Sequence, residues 1–173
     1  LFMALSRTLV RASTTGNPNV SESIEKANEL ICADAKTGMF VTLFYAILDA
    51  KKKRLRYVNA GHNPPLLLKQ QKGNTVLLKA KGIALGVIED IELEEEEIQL
   101  EKGDLITLFT DGVTEAINQK EEQFGQQRLL TLIEENRGLS ACEIISKIEA
   151  EVTAFSGGQP QFDDIILMII KIA

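Results

Sequence analysis

Short apolar segments separated by tight turns dominate the middle of this chain, and segments with a helical pattern lie on either side of them. The clearest are "MFVTLFYAILD" (39–49), "KKKRLRYVNA" (51–60), "LLLKQQKGNTVLLK" (66–79) and "LITLFT" (105–110). The first is rich in β-branched and aromatic residues, as buried strands are. Tight turns favour antiparallel pairing, because parallel strands need a long crossover between them. The sequence therefore predicts an α+β domain with helices packed on antiparallel sheet.

Four segments repeat apolar residues at the spacing of amphipathic helices. They are residues 1–12, 20–34, 125–138 and 140–155. Asn19 with Glu22 is a capping pair before the second segment, and Ser140 with Glu143 is a capping box at the start of the fourth. Gly138 suits the position just after a helix end. These signals predict two helices before the strands and two more before the last strand.

Two apolar segments in the second half of the chain predict buried strands. "LITLFT" (105–110) has the composition of a central strand, and "FDDIILMIIKIA" (162–173) predicts a closing strand that is fully buried. Between the turns, residues 91–104 alternate apolar and polar residues at both ends and carry the acidic run Glu94–Glu97. A cation site is one interpretation of this run. The alternation favours a solvated strand face, with a bulge where the pattern slips.

The composition limits the classes of function. A length of 173 residues suits a single domain, 1–173, with a substantial core. A net charge of −6 argues against general nucleic-acid binding. No apolar stretch is long enough to insert across a bilayer. Cys32 and Cys142 lie far apart without a metal-type spacing, which predicts reduced thiols and a cytoplasmic location.

Acidic residues stand where one predicted strand ends and another begins. Asp111 follows the strand 105–110, and Asp163 and Asp164 precede the last strand. If these strands are antiparallel neighbours, the acids meet at one sheet edge, roughly 5 Å apart. Carboxylates that close repel each other, and Mg²⁺ or Mn²⁺ relieves the repulsion. Gly112 would leave room beside Asp111, although ordinary turn residues fit the same pattern.

His62 is the only histidine of the chain and lies in the segment "GHNPP" (61–65). Histidine is the side chain that changes charge near neutral pH without a perturbed pKa, so a general acid close to the substrate is one interpretation. The other interpretation is a turn residue. Gly61 and Pro64 favour the turn, because proline lacks an N–H and biases the residue before it away from helix.

Several motifs occur together and in a specific order. They are "YVNAGHNPPLL" (57–67), "GIALGV" (82–87), "LFTDGVTEA" (108–116) and a terminal "DD" before a strand. In this order they resemble the C-terminal part of a bacterial SpoIIE/RsbU-type serine phosphatase, in the metal-dependent PPM (protein phosphatase 2C) family. The resemblance covers essentially the whole chain. It implies an α-β-β-α sandwich of two antiparallel sheets flanked by helices, and hydrolysis of phosphoserine or phosphothreonine on a protein.

The resemblance also implies a site for two Mn²⁺ or Mg²⁺ ions. It makes Asp111, from the "TDG" motif, and Asp163, from the "DD" pair, metal ligands and catalytic residues, and adds Asp164 to the metal site as their neighbour. Gly112 and His62 are expected close to the substrate. The implied substrate is a phosphorylated regulatory protein, such as an anti-sigma-factor antagonist. An upstream sensor or receiver domain is implied as the controlling partner.

The chain departs from the family pattern upstream. The family's "GDFYD"-like and "DVSGKG"-like motifs, which carry further metal ligands, do not occur here. Residues 1–12 resemble the helix that follows the second motif, so the chain is expected to lack the N-terminal strands of the domain. Open sheet edges of this kind would favour self-association, for example as a dimer. The alternative function is therefore a non-catalytic interaction module of the same fold, or an inactive fragment.

Overall fold

The computed structural model describes residues 2–34, 38–71, 74–161 and 163–173. Within these residues the helices are α1 (Phe2–Thr14), α2 (Val20–Asp34), α3 (Asp111–Thr114), α4 (Gln126–Asn136) and α5 (Ala141–Ser156). The strands are β1 (Leu43–Asp49), β2 (Arg54–Ala60), β3 (Leu66–Leu68), β4 (Thr75–Leu77), β5 (Glu96–Gln99), β6 (Leu105–Phe109) and β7 (Leu167–Lys171). None of the helices in the described ranges is long and apolar enough to cross a membrane.

The chain divides into two compact units. Unit 1 comprises residues 1–64 and 79–100, and unit 2 comprises residues 65–78 and 101–173. Each unit has its own sheet, in the order β1-β2-β5 in unit 1 and β4-β3-β6-β7 in unit 2. All of these strand pairs are antiparallel. The antiparallel pairing that the tight turns predict is thus confirmed.

The sheet of unit 1 is built on the predicted hairpin of β1 and β2. Leu43 pairs with Ala60 at one end and Asp49 with Arg54 at the other. Val58 and Ala60 are buried in one cluster with Ile24 of α2. The prediction of a buried strand over 39–49 is wrong in two respects. The strand begins only at Leu43, and its residues are mostly half-buried because β1 is the edge of this sheet.

The N-terminus of α2 is capped from two sides. The predicted cap is confirmed in part, since Asn19 Oδ1 accepts the N–H of Glu22 at 3.1 Å. Glu95 Oε2 also accepts the N–H groups of Val20 and Ser21, at 3.0 and 3.4 Å. A carboxylate is favourable there because the free N–H groups give the helix start a partial positive charge.

The acidic run is more than a solvated face. Only Glu96–Gln99 form a strand, so the strand predicted to begin near residue 91 starts later. Arg54 donates to Glu97 at 2.9 Å and Arg56 donates to Glu95 at 3.0 Å. The run is therefore matched by arginines of the neighbouring strand β2, with which β5 pairs.

The sheet of unit 2 has β6 between β3 and β7. Leu105 and Phe109 of β6 are buried in one cluster with Leu129 of α4 and with Ile144 and Ile148 of α5. This agrees with the central strand predicted from "LITLFT". The apolar faces of the two helices provide the other side of this core, as their helical spacing indicates.

The closing strand differs from its prediction. β7 lies at the edge of its sheet, and its side chains alternate between half-buried and exposed. Met168 is 54% exposed and Ile166, just before the strand, is 59% exposed. The expectation of a fully buried strand is therefore wrong for the described residues. Phe162 lies outside the described residues, as do Leu1 and residues 72–73, where predicted elements also fall.

The capping box of α5 is confirmed. Ser140 Oγ accepts the N–H of Glu143 at 3.3 Å, and a carboxylate oxygen of Glu143 accepts the N–H of Ser140 at 2.8 Å. The helix ends at Gly157, which has the left-handed φ of 56° that glycine adopts without strain. α4 ends before Gly138, as predicted.

A buried carboxylate holds the turn before β6. Asp104 is 0% exposed, and its oxygens accept Lys69 Nζ and the N–H groups of Gln70 and Glu101, each at 2.9 Å. Burial by itself would raise the pKa of Asp104, but these hydrogen bonds outweigh it and hold the pKa below its ordinary value. The sequence suggests only a turn residue here, since Lys69 is 35 positions away.

Candidate metal centre

The pairing of β6 with β7 decides where the predicted acids lie. These strands are antiparallel neighbours, with Phe109 at the end of β6 opposite Leu167 at the start of β7. Asp111 follows the first strand by two residues, and Asp163 and Asp164 precede the second. The strand arrangement on which the sequence argument depends is therefore confirmed, and the acids come from one end of this strand pair.

Thr110 fastens the two segments together. Its hydroxyl donates to the carbonyl of Asp164 at 2.7 Å and accepts the N–H of Ile166 at 3.0 Å. Its own N–H donates to the carbonyl of Ile166 at 3.2 Å. Three hydrogen bonds from one residue thus fix the end of β6 against the chain that leads into β7. Sequence reasoning missed this role, for which a threonine before "DG" is the only signal.

Gly112 allows the same segments to approach closely. A Cβ at residue 112 would lie 2.5 Å from the carbonyl oxygen of Asp164 and 2.9 Å from that of Asp163. Atoms at such distances overlap, so a side chain here would push the two segments apart. The absence of a side chain beside Asp111 is therefore required, because the carbonyls of Asp163 and Asp164 take up the space that a Cβ would need. The expected turn is instead the start of the short helix α3.

The three carboxylates face solvent, and none pairs with a lysine or arginine within the described ranges. Asp111 Oδ1 accepts the N–H of Gly112 at 3.1 Å, and Asp163 Oδ1 accepts the N–H of Asp164 at 2.7 Å. Each of these hydrogen bonds uses one oxygen of the carboxylate, which can accept further hydrogen bonds or bind a cation.

The donor chemistry of these residues fits a hard divalent cation. Mg²⁺ in proteins is commonly held by one or two carboxylates and keeps several water ligands. Asp111 and Asp163 supply carboxylates of this kind from the two joined segments. In the part of the chain that the structure describes, no three His, Cys, Asp or Glu side chains form a group that could hold a metal ion. The fit is therefore that of a site with few protein ligands.

A cleft opens beside these segments in unit 2. Its volume is about 350 Å³, and both Gly112 and Asp163 line it. Gln161 also lines the cleft, and its side-chain amide donates to the carbonyl of Asp163 at 2.6 Å. Asp163 thus adjoins a space of the size that small ligands and peptide side chains occupy.

His62 lies in unit 1, in the turn that follows β2. Asn59 Oδ1 accepts the N–H of His62 at 2.7 Å, and Asn59 Nδ2 donates to the carbonyl of His62 at 2.9 Å. The imidazole Nδ1 is 3.1 Å from Thr42 Oγ1. These contacts are those of the turn residue that the sequence favours. A place near the substrate stays a prediction for His62.

Comparison with known proteins identifies relatives along the whole chain. The family model described as Stage II sporulation protein E (SpoIIE) matches residues 1–173. Phosphoserine phosphatase RsbU of Bacillus subtilis (strain 168) is 33% identical over 152 residues, which are 87% of this chain and 44% of that protein. The chain therefore spans less than half the length of this relative.

Solved structures share the fold. The PP2C domain of SiaA from Pseudomonas aeruginosa has a TM-score of 0.84 at 16% identity, over 99% of this chain and 69% of that one. The catalytic domain of the serine/threonine phosphatase PstP, solved with two manganese ions, has a TM-score of 0.66 at 15% identity, over 96% of this chain and 79% of that one. The predicted α+β fold of the PP2C class, with two antiparallel sheets and helices, is confirmed.

Proposed function

Because the chain belongs to the Stage II sporulation protein E (SpoIIE) family, we propose that it is a metal-dependent phosphatase acting on phosphoserine or phosphothreonine of a regulatory protein. The observation that carries the proposal is the pairing of β6 with β7, which joins the segment of Asp111 to that of Asp163 and Asp164. RsbU, a relative of this chain, is named a phosphoserine phosphatase. The proposal extends that activity to this chain.

The proposed cofactor is Mn²⁺ or Mg²⁺. Asp111 and Asp163 would bind it through carboxylate oxygens, and Asp164 would support them as the adjoining residue. Two ions are proposed for the complete site, because the similar domain of PstP contains two manganese ions. When bound, such ions make water a better nucleophile at neutral pH and neutralise phosphate charge. Thr110 and Gly112 would keep the ligand-bearing segments in register.

The reaction is hydrolysis of a phosphate ester. The oxygen of a water molecule bonds to phosphorus while the bond from phosphorus to the serine oxygen breaks. A proton from that water passes to the serine oxygen, so the products are the serine hydroxyl and inorganic phosphate. Gly112, which adjoins Asp111 and has no side chain, is proposed to lie close to the phosphoryl group.

The proposed setting is a bacterial signalling protein. Residues 1–173 would act as one phosphatase domain in the cytoplasm, and the phosphoprotein would be of the anti-sigma-factor antagonist type. An upstream sensor or receiver domain would control the activity. The match to only 44% of RsbU supports this, because the relative has further chain beyond the matched part.

The test is Mn²⁺-dependent hydrolysis of an aryl phosphate and of a phosphoserine peptide by the full natural protein that contains this chain. Asp111→Asn and Asp163→Asn should each lower kcat/KM by more than about 100-fold, the upper range for residues that only orient a metal ligand. Asp90→Asn is the matched control, an exposed aspartate in unit 1. It should keep the wild-type rate.

Two results would count against the proposal. The first is the absence of hydrolysis in folded wild-type protein at millimolar Mn²⁺. The second is hydrolysis that survives both Asp111→Asn and Asp163→Asn, because these residues would then not bind the catalytic metal. Isothermal titration with Mn²⁺ on the same variants shows whether metal binding and activity are lost together.

A second candidate is a partner-binding module of the same fold that performs no hydrolysis. In unit 1, Phe40, Val87 and Ile88 are 60%, 49% and 51% exposed. Exposed apolar side chains of this size are typical of interaction surfaces when they cluster. This candidate predicts no phosphatase activity in any form of the protein and loss of partner binding in Phe40→Ser.

A further inference from the structure

The cleft of unit 2 has walls from three parts of the chain. The connection from α3 to α4 contributes residues 115–117 and 123, the end of α5 contributes 152, 153 and 156, and the segment before β7 contributes 158–161, 163 and 165. Its volume of about 350 Å³ lies within the usual range of ligand pockets. The cleft has no role in the hydrolysis described above.

The chemistry of the cleft is that of a peptide site. Its apolar lining consists of Ala116, Ile117, Val152, Pro160 and Ile165. The polar lining carries amide, hydroxyl and carboxylate groups, from Glu115, Gln123, Thr153, Ser156, Gln159, Gln161 and Asp163. No lysine, arginine or histidine is among the described residues that line it. An apolar surface with a few polar groups around it suits a side chain together with its backbone.

The cleft is continuous with the candidate metal centre, because Gly112 and Asp163 belong to both. A phosphoserine held there would therefore place its neighbouring residues in the cleft. We propose that the cleft binds the part of the phosphoprotein next to the phosphoserine, takes up an apolar side chain and disfavours an acidic one. The carboxylate of Glu115 supplies the discrimination, since it would repel an acidic neighbour. This inference rests on the proposed function.

The test measures binding separately from hydrolysis. Peptides carry a non-hydrolysable phosphonate analogue of phosphoserine and a fluorophore, and binding to the Mn²⁺-loaded full protein is followed by anisotropy. Each of the three positions on either side of the phosphonate is in turn Leu, Lys or Asp. At one position at least, Leu should bind about tenfold more tightly than Asp, the usual effect of one well-placed apolar group.

A pair of variants on α5 tests whether the preference for Leu over Asp arises in the cleft. Thr153 is exposed and lines the cleft, so Thr153→Trp would fill it from the helix surface. Ser146 is exposed on the same helix and does not line the cleft, so Ser146→Trp is the matched control. Thr153→Trp should weaken the Leu peptide about tenfold or more and remove the preference for Leu over Asp. Ser146→Trp should keep the wild-type affinity and preference.

The outcomes separate the cleft from the phosphatase. The inference is overturned if Leu and Asp peptides bind alike at all positions, or if Thr153→Trp and Ser146→Trp behave alike. If no form of the protein hydrolyses phosphate but the peptide preference and the Thr153→Trp effect persist, the proposed function fails and the peptide site stands. If hydrolysis occurs without a peptide preference, the phosphatase stands and the peptide site fails.

Discussion

Two groups of acidic residues in this chain carry similar charge in opposite surroundings. The first is the acidic run Glu94–Glu97 in unit 1, in which two glutamates form ion pairs with arginines of the neighbouring strand. Arg54 lies 2.9 Å from Glu97, and Arg56 lies 3.0 Å from Glu95. Glu95 also accepts two backbone N–H groups at the start of α2. Each of these contacts contributes to the stability of the fold.

The second group comprises the strand-end acids, defined here as Asp111, Asp163 and Asp164 in unit 2. Within the described ranges none of them pairs with a basic side chain. The hydrogen bonds that the carboxylates of Asp111 and Asp163 accept come from the backbone N–H of the next residue along the chain. Such local bonds do not stabilise the tertiary structure, and negative charges at adjoining strand ends repel each other.

This difference is the one expected between acids that stabilise the fold and acids that bind a ligand. A chain that places these carboxylates at one end of a strand pair without basic partners, and joins their segments through Thr110 and Gly112, departs from what stability alone favours. Departures of this kind are expected at functional sites. Four variants sharpen or break this comparison.

The largest effect is expected at Asp104, the most fully compensated acid. Asp104→Asn replaces a buried carboxylate that accepts hydrogen bonds from half-buried Lys69 and from the N–H groups of Gln70 and Glu101, which should lower the free energy of unfolding by about 3 kcal/mol. Urea denaturation at pH 7 measures this loss. A loss below about 1 kcal/mol would show that the ion pair is not a main support of unit 2.

The same residue predicts a pH dependence. The pKa of Asp104 is lower in the folded chain than its ordinary value near 3.9. Its contribution to stability is therefore fully present above about pH 4 and is lost as the pH falls through the folded pKa. Asp104→Asn should unfold in acid with a shallower pH dependence than wild type over that range. Parallel acid dependence in the two proteins would contradict this assignment.

The second effect concerns Thr110, which fastens the segments of the strand-end acids. Thr110→Val keeps the shape but removes the hydroxyl bonds to Asp164 and Ile166, which should cost about 1–3 kcal/mol. If the strand-end acids bind metal, Mn²⁺ affinity should also fall by roughly 10–100-fold, as for residues that orient a ligand. Titration calorimetry and denaturation measure the two quantities.

Thr110→Ser is the control for this prediction, because it keeps the hydroxyl and loses only the methyl group. Thr110→Ser should therefore keep most of the Mn²⁺ affinity of the wild type. If the valine and serine variants bind Mn²⁺ equally well, Thr110 has only a structural role, and the strand-end acids lose their proposed support.

Much of this arrangement follows from local sequence. The capping box of Ser140 and Glu143, the β1–β2 hairpin and the central strand β6 are short-range features, and the structure has them as predicted. The meeting of Asp111 with the "DD" segment was also predictable. It needs only that the strands before and after these acids pair in antiparallel fashion.

The remaining features depend on contacts between distant residues. Glu95 caps a helix 75 positions away, and no local pattern distinguishes it from the other acids of its run. The buried role of Asp104 requires Lys69, which directly follows β3. β7 is as apolar as a buried strand, but its exposure depends on its place at the sheet edge, which composition does not encode.

The third effect tests the acidic run. Glu95→Gln weakens the pair with Arg56 and removes the negative charge at the start of α2, which should cost about 0.5–1 kcal/mol. Added salt should reduce the difference from wild type, because these groups are partly exposed. Thermal unfolding at low and high salt measures it. Glu92→Gln, at an exposed acid of the same segment, should change stability less.

The smallest effect has the opposite sign and separates the two groups most directly. In metal-free protein, Asp163→Asn keeps an oxygen for the N–H of Asp164 and removes one of several negative charges at adjoining strand ends. The free energy of unfolding should stay unchanged or rise by up to about 0.5 kcal/mol, as when like charges across a strand pair are relieved. Mn²⁺ should then stabilise the wild type more than the variant, because ligand binding to the folded state adds to stability. Thermal unfolding with a chelator and with Mn²⁺ measures both terms. A loss of more than about 1 kcal/mol in the metal-free variant would place Asp163 with Glu95, among the acids that hold the fold together.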